Sequence, residues 1–174
     1  MDLNELELVS ENSYSLSKED ITYFTEFNFD IVNIVKELKQ ENQDFKKTPI
    51  DLSLVIKHLG LNAIYKENVE NLVKLDKINK IIEINKDEVK IEFKFYKIAK
   101  EIASYYLSQK LGKVEEDLNR IKLENIFAIE LLMPYNETRN KIMLGYSVEN
   151  LSKHFNVTDE IARNRHNNIY NRIY

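Results

Sequence analysis

The stretch LENIFAIELLMP, residues 123–134, decides the fold of this 174-residue chain. Apolar residues recur in it, and in the residues before it, at spacings of three and four, which is the period of a helix with one buried face. Pro134 cannot continue a helix because it lacks the backbone N–H. The pattern therefore predicts a helix from about residue 116 to Met133.

A second helix is predicted just before it. The string FYKIAKEIASYYL, residues 95–107, lies in an apolar pattern from about Glu88 to Leu111, and Gly112 is placed to end the helix. Further upstream, Thr48 is expected to cap a short helix with Pro49 in its first position, and Gly60 is expected to terminate it. Three β-prone runs follow, at residues 61–65, 72–75 and 81–84, and predict a small antiparallel sheet.

The two ends of the chain differ in charge. Residues 1–45 carry 11 acidic and 3 basic residues, whereas residues 46–174 carry 18 acidic and 22 basic residues. Residues 1–45 are predicted to form an acidic arm with a helix from Ser17 to about Gln40, followed by a domain over 46–174. The arm could cover a partner's surface or be an ordinary solvated helix.

Residues 147–174 are predicted to form a helix-turn-helix-like tail. Ser147 is expected to cap a helix that reaches Phe155, and a second helix is expected to begin at Asp159. The order of helices, small sheet, helix pair and helical tail predicts the α+β class.

Composition excludes several classes of protein. The absence of Cys excludes disulfides, zinc ribbons and thiol catalysis. No apolar run approaches the roughly 18–20 residues that cross a bilayer, and the acidic start lacks the basic region of a signal peptide. We therefore expect a cytoplasmic protein without a membrane partner.

The two helical strings resemble the ImmA/IrrE family of zinc metallopeptidases. That family has a helix of the form F-T-x-A-H-E-L-G-H-Y-L-L-H, followed by E-x-x-A-N-x-F-A-A-E-L-L-M-P. The second pattern is matched in register by Asn125, Phe127, Ala128 and residues 130–134. The resemblance extends over about residues 48–170 and implies a zincin-like scaffold with two core helices.

The chain departs from that family where zinc would bind. In this register Lys100 and Ser104 stand where the family has histidines, whereas Glu101 is kept. An ammonium group has no lone pair for a metal, and a hydroxyl is a poor zinc ligand. The family's acidic third ligand lies just before the Asn, and among residues 121–124 only Glu124 is acidic, at the family's Ala position. The remaining histidines (His58, His154 and His166) are not paired at a spacing of four.

We therefore predict a pseudopeptidase without metal, cofactor or catalytic residues, whose vestigial site is Lys100, Glu101, Ser104 and Glu124. Lys100 is expected to take the place of the missing cation and to neutralise Glu101, Glu124 or Glu130. The resemblance implies a regulatory protein whose partner is a helix-turn-helix repressor of a phage or mobile element. The expected docking site is a groove between the two main helices, lined by Asn125, Glu130 and Tyr105.

Two alternatives remain open. One is a residual hydrolase, either metal-dependent with Glu101 as its base or metal-free through a Lys100–Ser104 dyad. The other is a DNA-binding regulator whose tail presents Arg163, Arg165 and Arg172. Residues 139–174 carry only 6 basic against 3 acidic residues, which favours packing or protein contact over phosphate contact.

Overall fold

A computed structural model describes residues 28–67, 71–86, 91–111 and 118–173. Within these ranges the chain forms seven α-helices, a 3-10 helix and a three-stranded sheet, as the sequence predicted for an α+β fold. The helices are α1 (Phe29–Glu41), α2 (Leu52–His58), α3 (Ile91–Leu111), α4 (Leu118–Leu132), α5 (Tyr135–Met143), α6 (Val148–Phe155) and α7 (Asp159–Ile173), with the 3-10 helix at Gln43–Lys46. The strands are β1 (Asn62–Lys66), β2 (Val73–Asp76) and β3 (Ile81–Asn85).

The strands lie within one residue of their predicted positions, but the sheet is mixed and not wholly antiparallel. Its order is β1-β3-β2, with β2 antiparallel and β1 parallel to β3. The β2–β3 hairpin is local, because the Asp76 carboxylate accepts hydrogen bonds from the backbone of Ile78 and Asn79 at 3.0 Å. Strand β1 pairs with β3 on the side opposite to β2. This pairing joins strands that are distant in sequence, so no turn residue specifies it.

Helices α3 and α4 form the predicted core pair. Residues 125–133, which form the second half of α4 and the residue after it, are all buried, since α1 and α3 both pack against this helix. The expected terminator Gly112 lies outside the described residues. Pro134 ends α4 as predicted and also stands at the N-cap position of α5, a helix that the sequence did not indicate because Thr138 is its single buried residue.

Helix α1 begins later than predicted. The Asn28 side chain accepts hydrogen bonds from the backbone N–H groups of Asp30 (3.0 Å) and Ile31 (3.1 Å), so the helix starts at Phe29 and does not run on unbroken from Ser17. Residues 17–27 lie outside the described part of the chain. The apolar face of α1 and Phe45 of the 3-10 helix are buried in the main core.

Helix α2 is capped by Asp51 and not by Thr48. The Asp51 carboxylate accepts a hydrogen bond from the Ser53 N–H at 2.9 Å, and the helix begins at Leu52. The Thr48 hydroxyl instead donates to Glu137 of α5 at 3.0 Å. Gly60 follows the helix with a φ of 69°, the left-handed conformation that terminators adopt.

The tail forms the two helices that were predicted. Ser147 caps α6 by accepting a hydrogen bond from the Asn150 N–H (3.2 Å), and Asn156 ends it in the left-handed conformation. Leu151, Phe155 and Ile161 are buried, so the tail packs against the body of the protein. None of the described helices is both long and apolar enough to span a bilayer.

Candidate functional site

Arg120 joins α3 to α4 at the vestigial site. Its Nε lies 3.0 Å from a carboxylate oxygen of Glu124, one helical turn further along α4. Its Nη2 donates weakly to both the hydroxyl and the backbone oxygen of Ser104 on α3, each at 3.4 Å. The guanidinium therefore contacts Ser104, which stands where the family has its second histidine. It also contacts Glu124, the acidic residue nearest to the family's third ligand position.

Glu101, the residue that corresponds to the family's general base, lies in the same region. Its pKa is raised, first because burial penalises the carboxylate and then because Glu124 adds a like charge. A hydrogen bond from the backbone of Leu75 and the charges of Lys100 and Lys77 partly offset this rise. The site thus holds two neighbouring carboxylates, with Arg120 and the two lysines as cations near them.

Two of the three carboxylates expected to face Lys100, those of Glu124 and Glu130, each have an arginine partner. Those carboxylates are bound by Arg120 and Arg165, respectively. The Nζ of Lys100 lies 5.9 Å from the centre of the Tyr96 ring, and its charge favours the ionised form of Glu101. Glu101 is therefore one of the three predicted carboxylate partners on which the charge of Lys100 acts.

Glu130 and Arg165 form a buried ion pair between α4 and the tail. Their exposed fractions are 6% and 5%, and the Glu130 carboxylate also accepts a hydrogen bond from the Tyr135 N–H at 3.0 Å. Arg165 donates two further hydrogen bonds to the backbone oxygen of Met133, at 3.1 and 2.9 Å. Arg165 therefore does not project towards solvent as expected, whereas Arg163 and Arg172 are exposed.

The groove predicted between the two main helices is not open. Asn125, Glu130 and Tyr105 are 0%, 6% and 6% exposed, because α3 and α4 pack directly against each other. The Tyr96 hydroxyl donates to the Asn125 side-chain oxygen at 2.9 Å. Among the described residues, the Asn125 amide nitrogen has no hydrogen-bond partner. These side chains hold the interior together and do not line a docking surface.

Comparison with protein families matches residues 49–167 to the IrrE N-terminal-like domain, Peptidase_M78. The chain belongs to this family. The family assignment confirms the resemblance that the helical strings of α3 and α4 predicted.

A solved structure, a Mycobacterium tuberculosis transcriptional regulator, has the same fold as this IrrE-like chain. The match has a TM-score of 0.63 at 19% sequence identity and covers 84% of this chain. It covers 50% of the regulator, so the chain spans about half the length of that protein. No curated protein matches the chain.

The IrrE-like site does not fit a zinc ion. The two positions that correspond to the family's histidines offer an ammonium and a hydroxyl, and the nearby carboxylate of Glu124 is already bound to Arg120. No three acidic or histidine side chains in the described ranges are grouped so that they could share a metal. The histidines lie on three different helices: His58 contacts Glu41 (2.7 Å), His154 contacts Glu137 (3.1 Å), and His166 stacks on Tyr170.

Arg120 is the site residue that sequence reasoning missed. It precedes Glu124 by four positions on a helix that the sequence did predict, and this spacing places two side chains next to each other. The contact between Arg120 and Ser104 across the helix pair carried no comparable signal, because it depends on how α3 and α4 pack.

Proposed function

We propose that this chain is a catalytically inactive member of the IrrE N-terminal-like family that acts as a regulatory, protein-binding module. One observation carries the proposal: the Arg120 guanidinium bridges Glu124 and Ser104 at the position of the family's metal motif. Zinc in an HExxH site is held by two neutral imidazoles one turn apart, and the adjacent Glu activates its water. Here the ammonium group of Lys100 would repel a metal cation. Ser104 and Glu124 instead bind the cationic guanidinium of Arg120.

The metal-free hydrolase is less well supported by this geometry. A Ser–Lys dyad needs a neutral amine that accepts the hydroxyl proton. The Ser104 hydroxyl instead accepts a hydrogen bond from Arg120, and a guanidinium stays protonated in proteins. Arg120 therefore supplies Ser104 with a donor and not with a base, and the dyad would depend on Lys100 alone.

The DNA-binding alternative loses one of its three arginines. Arg165 is buried against Glu130 and Met133, which leaves Arg163 and Arg172 on the exposed side of α7. Two exposed arginines on one helix give a thin basic surface for phosphate contact. Packing of the tail onto the domain is the role that its contacts favour.

The partner is, on this proposal, a helix-turn-helix repressor of the kind carried by phages and mobile elements. We place its docking site at an apolar pocket of about 230 Å³ between the sheet and the first turns of α3. Tyr65 of the edge strand β1 and Ile91 of α3 line this pocket, and they are 62% and 60% exposed. In the described sheet β1 pairs on one side only, with β3, and such an edge beside an apolar pocket suits an extended segment that inserts one large apolar side chain.

Elemental analysis tests the loss of the metal site. Protein purified without added metal or a His tag is expected to hold less than about a tenth of an equivalent of zinc. The double variant Lys100→His with Ser104→His restores both imidazoles but keeps Arg120, so it should bind zinc more weakly than the triple variant that also carries Arg120→Ala. Close to one equivalent of zinc in the wild-type chain would overturn the proposal.

Fluorescence anisotropy with labelled, purified repressors tests the docking site. Tyr65→Ser should weaken repressor binding at least about tenfold, since it removes an exposed aromatic ring from the pocket. The control is Ile78→Ser, a change at a 92% exposed residue in the hairpin turn, which should have no effect. Equal loss in both variants, or no loss in Tyr65→Ser, would contradict docking at this pocket.

A further inference from the structure

A second cleft, of about 310 Å³, lies between α1, the 3-10 helix and the junction of α4 with α5. Lys36 and Lys39 line it from α1, and Lys46 lines it from the 3-10 helix. Val35 and Pro134 contribute apolar walls. None of the four residues of the vestigial site lines this cleft, so it is a separate feature of the fold.

No close anionic partner of Lys36, Lys39 or Lys46 is found among the described residues. Within the part of the chain that the structure describes, none of them makes a hydrogen bond or an ion pair within 4.0 Å. Glu130 is the one carboxylate among the residues that line the cleft, and it is already bound to Arg165 and the Tyr135 N–H. Among the described residues, the cleft therefore brings three lysines together with one lining carboxylate, which is already engaged by Arg165 and the Tyr135 N–H.

Lys39 is the most deeply placed of the three amines. Burial lowers its pKa to about 8, although the carboxylates of Glu130 and Glu137 partly oppose this change. An ammonium group removed from water without a close partner is destabilised, so an anion entering the cleft would restore a missing interaction.

We propose that this cleft binds a small, multiply charged anion of the phosphate-ester or diphosphate class through Lys36, Lys39 and Lys46. The residue type favours phosphate over carboxylate, because lysines act as separate point charges that suit a multiply charged tetrahedral group. A planar carboxylate is matched best by the forked guanidinium of Arg, and the residues lining the cleft include none. The amides of Gln40 and Asn136 add neutral donors to the same cleft.

Isothermal titration calorimetry of the full chain with inorganic pyrophosphate tests the site. One pyrophosphate is expected to bind at low salt, and Lys39→Met should weaken binding at least about tenfold. Lys46→Gln changes an exposed residue and should also weaken binding. It keeps the test valid if Lys39→Met does not fold. The matched control is Lys57→Gln, an equal loss of charge at an exposed position of α2, which should change the affinity by less than about twofold.

Three results would overturn the proposal. They are the absence of pyrophosphate binding, equal affinity in the wild type and both cleft variants, and binding of citrate as tight as that of pyrophosphate. The last result would identify a carboxylate site and exclude the phosphate class.

Proton uptake gives a second measurement that a purely structural lysine would not change. The charged groups facing Lys39 are Lys36, Lys46, Glu130 and Glu137. At pH 8 about half of the free Lys39 amines are protonated, and a bound anion raises their pKa, so binding should take up protons. The dependence of the enthalpy on buffer ionisation should show this uptake in the wild type and a smaller uptake in Lys39→Met. Identical uptake in both would contradict the role of Lys39.

Discussion

At the scale of single residues, the buried pair of Glu130 and Arg165 dominates the electrostatics. Each side chain is at least nine-tenths buried, and each also has a backbone partner, the Tyr135 N–H or the Met133 carbonyl. A buried pair that satisfies its remaining hydrogen bonds offsets much of its desolvation cost, whereas one partner left alone does not.

Arg165→Met should therefore lower the free energy of unfolding by about 3–5 kcal/mol, since it leaves the Glu130 carboxylate buried without its cation. Urea unfolding followed by circular dichroism measures the change. Arg163→Met, at an exposed position of the same helix, is the control and should stay within about 0.5 kcal/mol of the wild type. Equal stabilities of the two variants would contradict the importance of the pair.

Glu101 should make the stability of the protein depend on pH. Because its pKa is raised, the folded state holds the proton more tightly than the unfolded state, and stability falls as pH rises from the ordinary carboxyl range through the raised pKa. Glu101→Gln removes this charge and can keep the acceptor for the Leu75 backbone. Its stability relative to the wild type, measured by urea unfolding, should grow as pH rises from the ordinary carboxyl range through the raised pKa. Parallel pH profiles would contradict the raised pKa.

The sequence could predict some of these residues and not others. The spacing of Arg120 and Glu124 on a predicted helix was available from the sequence. The burial of Arg165 was not, since Arg163 and Arg165 differ by about 200° around a helix and only the packing of α7 decides which one faces inward. Asn125 and Glu130 were assigned to a groove because the resemblance named them, but both lie in the interior.

At the scale of elements, Asn156 determines how α6 ends. It adopts a φ of 54°, which Asn tolerates and most other residues with a Cβ do not. Asn156→Ala should lower the free energy of unfolding by about 1 kcal/mol, while Asn156→Gly should be neutral or stabilising. Urea unfolding checks both changes. Asn150→Ala, the same chemical change at an exposed position within α6, should not destabilise the protein.

The elements themselves followed from local signals in the sequence. The β-prone runs predict the strand positions, and Gly60, Pro134 and residues 155–156 predict the ends of α2, α4 and α6. The parallel pairing of β1 with β3 had no such signal because it is non-local. Helix α5 was missed because it is largely solvent-facing and shows no apolar period.

At the scale of the whole molecule, α1 contributes to the main core although it precedes the residues matched to the family. Leu38 is 0% exposed and lies in the same cluster as the side chains of α3 and α4. The sequence predicted an acidic arm that ends near residue 45, and the described part of that arm places its apolar face in this cluster.

Leu38→Ala should therefore destabilise the entire protein by about 2–5 kcal/mol and leave one cooperative unfolding transition. Circular dichroism and tyrosine fluorescence in urea should report the same midpoint. Leu54→Ala is the control, because Leu54 is 37% exposed and its loss should cost much less. Two separate transitions would show that α1 unfolds independently of the domain.

Helix α4 has a consequence for the dynamics of the protein. Residues 125–133 are buried without interruption, beneath α1 and α3 and with the tail's Arg165 bound at their end. Local fraying cannot expose their amides to solvent, because any opening that reaches them must first displace several neighbouring elements. Their hydrogen–deuterium exchange should be the slowest in the chain, and its free energy should equal that of global unfolding. The exchange rates of these nine amides therefore measure the free energy of global unfolding in native buffer, without denaturant.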